Sequence, residues 1–536
     1  MDALPVSFFA NFFVKRKFTG WLISFALGGL AILGQAPFHI WPITILCFAL
    51  FMVRLESVRG LEKPNKSAFW QGFGFGLGYC LFGLYWIGSA FIVRGSEFIL
   101  IMPFAILGFC AGLALFWAIA AWAYLKLSVP GHALRAVSFS GAFFITEFAR
   151  ARVLSGFPWN LPGTVFEAGK PMSQIASIVG VSGLSALVLF SAGALALLLQ
   201  GKNRKFIPAT TSALVLAVVY VFGALRLSNA VIEYVPNIKL RIVHANISQR
   251  DKLDPNKYVE TINHYLRLTT SEGFDEITHV IWPEGTVPGL MLKDKNLMQA
   301  IENIFVSQGG EQPPVFIIQT LRSEMQAGRS KPNYYNSALA ITYAKDRPAQ
   351  LSSFYDKQKL VPFGEYIPGH GALKKLGFKT LSSALESMTP GTTGNTPIIN
   401  GLPPVSLQIC YEINFTNLTS EILKASGEEP QWILNLSNDA WYGQSSGPYQ
   451  QANQARYRAI ETGLPLVRST SGGISTITDA YGRVLMSLSL KDDSVLDASL
   501  PRHVQKTAYN NNVNYIILLL IGLMQLGCYL FMQRRR

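Results

Sequence analysis

Charge is scarce in this sequence. Asp, Glu, Lys and Arg make up 15% of its 536 residues against 50% hydrophobic, where a soluble globular chain carries about 25% charged residues. With a mean hydropathy of +0.27, that excludes an ordinary water-soluble protein. The seven histidines show no metal-ligand spacing, so no metal centre is expected, and no internal repeat is visible. Cysteine is sparse too. Of five, Cys47, Cys80, Cys110 and Cys528 lie inside apolar runs, where a thiol is a small packing residue. Only Cys410 lies outside them, which excludes a disulfide framework in the polar part of the chain. A lone thiol there is either deeply buried or kept for its reactivity, and composition leaves both readings open.

What is abundant is apolar sequence in long runs, crowded into roughly the first 230 positions with one more at the end. Runs long enough for a hydrocarbon core of about 30 Å lie near Phe18–Pro37, Phe38–Val53, Phe69–Val93, Phe98–Leu125, Ala136–Phe148, Ile175–Leu199, Ile207–Leu225 and Tyr515–Met532. That predicts about eight spans, with Pro42 interrupting the second. The first run is longer than a signal-peptide core and lacks a small-residue cleavage site, so it is expected to be retained.

Positive flanks of short loops stay in the cytoplasm. The clusters Lys15-Arg16-Lys17, Arg54 to Lys66, Lys202 to Lys205 and Arg534-Arg535-Arg536 fall on one side of an eight-span chain. The expected organisation is therefore a membrane domain over 1–228, an extracytoplasmic domain over 229–513, on the periplasmic face of a bacterial inner membrane, and a final span with a basic tail over 514–536. The net charge of +14 needs no nucleic acid, since topology signals and anionic headgroups account for it.

From Ile238 the pattern changes to short β-rich runs, among them "IKLRIVHANI", "HVIWPEG", "PVFIIQT", "NSALAIT", "VSLQICYEI", "WILNLSN" and "LPLVRSTSGGISTIT". Alternating with helical stretches such as Pro255–Gly273, they predict an α/β or α+β sandwich with covered sheets. Ser383–Gly401, rich in Gly, Thr and Pro, reads as a long loop.

Three strand ends carry chemically useful residues. In "VIWPEGTVPG" Glu284 follows a buried strand, where a carboxylate can serve as general base or lie solvated in a loop. In "YDKQKLVPFGEYIP" Lys357 and Glu365 flank a rigid Pro-Gly core; the lysine can steady a developing oxyanion with the carboxylate holding it, or the two can form a surface pair on a turn. Cys410, followed by Tyr411 and Glu412, ends an apolar run where a thiol can face a cleft beside backbone N–H groups.

Glu, Lys and Cys in that order, each at a strand end, resemble the nitrilase (carbon–nitrogen hydrolase) superfamily. The likeness covers most of residues 238–500 and includes "NLSNDAWYG" and "QARYRAIETGLPLVRSTSGG". It implies an αββα sandwich in which Glu284 is the general base, Lys357 the oxyanion stabiliser, Cys410 the acyl-accepting nucleophile and Glu365 an auxiliary acid. Tyr411, Glu412, Asn438, Trp441, Phe363 and Tyr366 are the expected supporting or substrate-guiding residues.

Such a domain on a polytopic membrane protein resembles the apolipoprotein N-acyltransferase family. "SGFPWNLPG", "LVPFGEYIP", "CYE" and "SNDAWYG" carry that likeness, with Tyr449 where histidine is common and Leu253 where tryptophan is common. The resemblance implies a monomeric membrane enzyme without cofactor. Its phospholipid acyl donor would acylate Cys410, and its acceptor would be the N-terminal amine of a diacylglyceryl-cysteine apolipoprotein. The rival readings are a membrane-bound hydrolase of the same superfamily and a non-catalytic transporter or sensor. Glu147 and Arg150, three apart near the end of a span, read as an ion pair or as a headgroup contact. Gly72, Gly74, Gly76 and Gly78 offer small-residue spacing for close helix packing.

Overall fold

The computed structural model describes residues 17–201, 206–326, 328, 331–366, 388–392, 397–416, 418–419, 428–509 and 511–533. Lys15, Arg16, the cluster 202–205, the tail 534–536, Pro368 and parts of the expected loop 383–401 lie outside them. The chain divides into two compact units, Met1–Asn229 with Thr507–Arg536, and Ala230–Lys506.

The first unit is helical: α1 Lys17–Ala31, α2 Trp41–Ser57, α3 Pro64–Gly83, α4 Met102–Leu127, α5 Arg135–Arg150, α6 Ala176–Leu199 and α7 Phe206–Ser228, with a further helix over Asn511–Gln533. Trp41–Gly60, Glu97–Leu127, Ala176–Leu199 and Phe206–Ser228 are long and apolar enough to cross a membrane; the bent pair Pro64–Gly83 and Tyr85–Val93 makes a fifth if counted as one span. Two details differ from expectation. Pro42 sits in the first turn of α2, where its missing N–H has no helical acceptor to lose, and so it starts the helix instead of interrupting it. The run Phe69–Val93 is not one straight helix: it turns by 53° after Gly83.

The glycines of α3 work on two faces. A side chain at Gly72 or Gly76 would run into Trp117 or Ala114 of α4, and one at Gly74 or Gly78 into Trp21 or Phe25 of α1. Their absent side chains let both neighbours approach α3 to backbone contact. Glu147 and Arg150 pair at 2.6 Å, and Arg150 Nη1 also donates to the carbonyls of Phe157 and Trp159. The pair thus ties the end of α5 to "SGFPWNLPG", and Trp117 Nε1 donates to Glu147 as well.

The second unit contains eleven strands among its described residues: β1 Tyr234–His244, β2 His279–Trp282, β3 Val315–Glu324, β4 Asn333–Ala344, β5 Arg347–Asp356, β6 Val405–Ile409, β7 Trp432–Asn438, β8 Leu466–Ser471, β9 Ser475–Thr478, β10 Val484–Leu488 and β11 Ser494–Pro501. They form one sheet in the order β11-β1-β2-β3-β4-β5 and a second in the order β10-β9-β8-β7-β6. β5, β10 and β11 were not among the expected strands. They are the partly exposed ones and lack the apolar runs that mark a buried strand.

Helix α8 (Tyr258–Thr269) turns Ile262, Tyr265, Leu266 and Thr269 inward, and α9 (Lys295–Gln308) Leu297, Ile301 and Phe305. These spacings of three and four put one stripe on the sheet. There they meet Val243, Val280, Trp282, Phe316 and Ile318, with the Trp282 and Phe316 rings 5.0 Å apart edge to face. On the second sheet α10 (Gly447–Thr462) seats Ala455 and Ala459 against Ile433 and Leu466. The inner faces of the sheets meet, with His244 Nδ1 of β1 2.8 Å from Ser475 Oγ of β9, which makes an αββα sandwich.

Candidate active site

Within each sheet the parallel strands end on one side. Trp282 pairs with Ile318 across β2 and β3, and Asn438 pairs with Ser471 across β7 and β8. β4 runs antiparallel to β3 and β5, so Leu321 faces Asn336 and Ser337 faces Asp356. The first residues after β2, β5 and β6 therefore converge beyond the carboxyl ends of the strands, where α/β folds place ligands. Those residues include Glu284, Lys357 and Cys410.

Lys357 is 1% exposed. Its Nζ donates to Glu365 Oε1 at 2.9 Å and lies 3.7 Å from Glu284 Oε1. Burial works against its charge, but Glu365, Glu284, Cys410 and Glu412 together hold the ammonium well above its ordinary range. A permanent cation is thus fixed between two carboxylates. The surface-pair reading of Lys357 and Glu365 is excluded by that burial.

Each carboxylate is held on both oxygens. Glu284 Oε1 accepts from Asn336 Nδ2 at 2.9 Å, and Oε2 from the Asn438 backbone N–H at 2.9 Å. Glu365 Oε1 accepts from the same Asn336 amide at 2.6 Å and Oε2 from the Val361 N–H at 2.7 Å. Gln319 Nε2 donates to Asn336 Oδ1 at 2.7 Å and so orients that amide toward both acids.

Cys410 is buried, 8% exposed, and adopts φ +54°. A non-glycine residue held there stores strain and is characteristic of functional turns. β6 stops at Ile409 and the chain turns at once into the short helix Cys410–Asn414. Glu412 fixes this elbow. Its Oε2 accepts from the Ile409 N–H at 2.8 Å, and its Oε1 from the N–H groups of Gln358 and Lys359 at 2.7 and 2.9 Å. Tyr355 Oη donates to the same carboxylate at 3.1 Å. Burial pushes the Glu412 carboxyl up to about 7 against those backbone N–H groups and Lys357.

A nearby lysine favours the thiolate of a cysteine. Lys357 does pull in that direction, but burial and the Glu284 charge outweigh it and push the thiol up to about 12. The resting group is a thiol and needs a base.

The remaining expected residues sit differently. Asn438, besides its N–H to Glu284, donates Nδ2 to Gln249 Oε1 at 2.9 Å. Tyr411 is buried and packs edge-on against Phe415 at 5.0 Å. Trp441 and Tyr366 are half-buried, and Phe363 is 60% exposed with φ +63°. Asn336, Gln319, Tyr355, Gln249 and the buried pair Arg468–Asp439 at 2.6 Å are site features that the sequence reading missed. For Gln319, Asn336 and Arg468 the signal was a polar side chain inside a buried strand, as in "FIIQT".

A buried Glu–Lys–Glu cluster with a cysteine at a strained strand end is the arrangement expected of the carbon–nitrogen hydrolase class, and residues 239–509 match the family model "Carbon-nitrogen hydrolase". Residues 27–194 match "Apolipoprotein N-acyltransferase N-terminal domain". Among similar proteins, one from Caulobacter vibrioides is 35% identical, the match covering 95% of this chain and 94% of that protein. One from Rhodopseudomonas palustris is 34% identical over 91% of each chain, and one from Bradyrhizobium diazoefficiens 35% over 91% of each. All three are named apolipoprotein N-acyltransferase. The chain belongs to the apolipoprotein N-acyltransferase family.

Proposed function

We propose that this protein is an acyltransferase that N-acylates the N-terminal diacylglyceryl-cysteine of bacterial apolipoproteins, taking the acyl chain from a membrane phospholipid through a thioester on Cys410. The observation that carries this reading is the fully buried Lys357, held between Glu284 and Glu365 and within electrostatic reach of Cys410. Such a site can accept a proton and stabilise an oxyanion at once.

In the first half-reaction Glu284 takes the Cys410 proton and the thiolate attacks the ester carbonyl of the donor. Lys357 and the amide of Tyr411 hold the tetrahedral oxyanion. The C–O bond then breaks, and Glu284 returns its proton to the departing lysophospholipid oxygen. In the second, the acceptor α-amine attacks the thioester, Glu284 takes the amine proton, and the C–S bond breaks. The Cys410 thiolate regains a proton and the product is an amide. This is ping-pong covalent catalysis, in which Glu365 and Asn336 position Lys357 and Glu284.

The acceptor must be an amine and not water, so the thioester has to form in a dry site open to lipid. Burial of acyl chains, favourable by about 0.8 kcal/mol per CH₂, keeps both substrates at the membrane boundary. Phe363, Tyr366 and Trp441 are the side chains assigned to guide them. In this reading the helices of the first unit and Asn511–Gln533 form eight spans, both termini are cytoplasmic, residues 229–513 lie on the periplasmic face of the inner membrane, and the enzyme acts as a monomer. The test is an assay with acyl-labelled phospholipid and a diacylglyceryl lipopeptide. Label appearing on the lipopeptide amine supports the reading; label released as free fatty acid makes the protein a hydrolase; label unmoved leaves no acyltransferase.

A further inference from the structure

The sandwich buries a row of polar side chains beside the Cys410 turn. Strand register sets Gln408 of β6 opposite Asn435 of β7, and Asn435 opposite Arg468 of β8, and all three are fully buried. Polar groups inside a sheet cost stability unless they are bonded, so where their bonds go shows what the row holds. Asn435 Nδ2 donates to the backbone carbonyls of Gln408 at 3.0 Å and of Cys410 at 3.4 Å. Its Oδ1 accepts from Arg468 Nη1. Arg468 Nη2 donates in turn to Asp439 Oδ2 at 2.6 Å and to Gln451 Oε1 of α10 at 3.3 Å, and Asp439 Oδ1 accepts from Ser437 Oγ at 2.7 Å. Asp439 balances the charge of Arg468, so what reaches the Cys410 turn is a fixed donor and not a net charge.

Cys410 stands at φ +54°, a conformation that persists only where its surroundings over-determine it. Glu412 holds the N–H of Ile409 on one side of the turn. Asn435 holds the carbonyls of Gln408 and Cys410 on the other. The Cys410 carbonyl and the Tyr411 N–H belong to one planar trans peptide and point in opposite directions. Fixing the carbonyl toward Asn435 therefore fixes where the N–H points. The bond also polarises that peptide, because an amide whose oxygen accepts a hydrogen bond is the better donor at its nitrogen. We infer that Asn435, locked by Arg468, is a positioning residue of the reaction, which aims the Tyr411 N–H at the oxyanion formed when Cys410 attacks the donor carbonyl; this rests on the thioester chemistry proposed above, in which that amide is an oxyanion donor.

The role differs from mere support of the fold by a kinetic split. Acylation by phospholipid passes through a tetrahedral oxyanion. Alkylation of the same thiol by iodoacetamide displaces iodide from a saturated carbon and forms none. Both reactions need Cys410 in place, but only the first needs the Tyr411 N–H aimed, and because the oxyanion is absent from the bound ground state, substrate binding does not depend on it.

The experiment compares the two reactions at Cys410 in the purified full chain in detergent micelles, each followed by mass spectrometry at one pH. Asn435→Leu keeps the size and neutrality of the side chain and removes the donor. Its acceptor-free acylation by phospholipid should fall by about 10- to 10²-fold, less than when an oxyanion donor is deleted outright. The half-saturating phospholipid concentration should be unchanged, and alkylation should run at the wild-type rate. Arg468→Lys keeps the charge beside Asp439 but offers one nitrogen where Nη1 and Nη2 serve two partners. It should show the same split in smaller degree, and it carries the test if thermal unfolding shows that Asn435→Leu does not fold. Acylation that stays at the wild-type rate in the folded variants, or falls only as far as alkylation does, overturns the inference. The wild type separates the two claims: a Cys410 that is alkylated but takes no acyl group from phospholipid would reject the thioester reading itself, whereas an acylated wild type beside variants without the split would reject only the role of Asn435.

Discussion

Cys410 and Asn336 show how residue identity and environment divide the labour. The Cys410 thiol is pushed up to about 12 by burial and the Glu284 charge, so between about pH 7 and pH 9 its thiolate fraction should rise about tenfold per pH unit, and alkylation of the free enzyme should rise with it. In Glu284→Gln one of the two main causes of that upward push is gone. Alkylation at a fixed pH should then be faster than in wild type, while acylation by phospholipid is lost because no base remains. Mass spectrometry of Cys410 after each reagent checks both arms; slower alkylation in Glu284→Gln would contradict the assignment. Cys410→Ser should abolish turnover, whereas Cys47, Cys80, Cys110 and Cys528 can each become Ala with most activity kept. Asn336 bonds both acids through one amide nitrogen. Loss of a hydrogen bond to a charged group costs about 1.5–3 kcal/mol, so Asn336→Ala should slow thioester formation by about 10- to 10²-fold, measured in a single turnover.

At the scale of elements, the site depends on two clamps between segments distant in sequence. Glu412 binds the N–H of Ile409 in β6 and the N–H groups of Gln358 and Lys359 after β5. It thereby fixes the elbow that presents Cys410 relative to the turn that presents Lys357. Glu412→Gln would place an NH₂ group where every partner is a donor, leaving buried N–H groups unpaired. The expected result is loss of about 1–3 kcal/mol of stability with at least a tenfold slower acylation, read by thermal unfolding and by single-turnover rates. In the membrane unit the corresponding dependence is on α3. A side chain at Gly76 would meet Ala114 and Trp117 of α4, so Gly76→Leu should lower the unfolding temperature in detergent through overpacking, a cost of about 1–3 kcal/mol. An unchanged unfolding temperature would mean that α3 and α4 do not pack as described.

For the whole molecule the testable statement is topology. Alkaline phosphatase fused near residue 350 should be active, and a cytoplasmic reporter at the same place inactive, if residues 229–513 face the periplasm. The reverse pattern would overturn the topology and the access of Cys410 to lipoprotein substrates together. The helices that pass as spans by length and apolarity are the long ones, α2, α4, α6 and α7, with α3 and its bent continuation as one more. α5 buries Arg135, Glu147 and Arg150 inside the unit. Those charges are met by neighbours, Arg135 by Glu56 and Arg150 by Glu147.

Much of this was legible in residue order. Apolar runs set where the helices of the first unit form, because a length of about 20 apolar residues has few other stable environments. Alternating apolar segments marked the buried strands, and Glu284, Lys357 and Cys410 stood out because each follows such a segment or sits in a rigid turn. The edge strands β5, β10 and β11 were not legible, since half-exposed pairing leaves no apolar run to read. Nor was the second layer of the site. Asn336, Gln319 and Gln249 sit on three separate elements, and their polar atoms meet only because strand register and the sandwich bring those elements to one end of the sheets. The same holds for the state of Cys410: a sequence shows that a lysine is available, but only burial and distance decide whether lysine, carboxylate or desolvation governs the thiol. The sequence by itself determined which residue types were present and where chain segments become helix or strand, because those follow from local periodicity. The tertiary structure decided which charges share a dry volume, because electrostatic coupling depends on separation in space and on the exclusion of water.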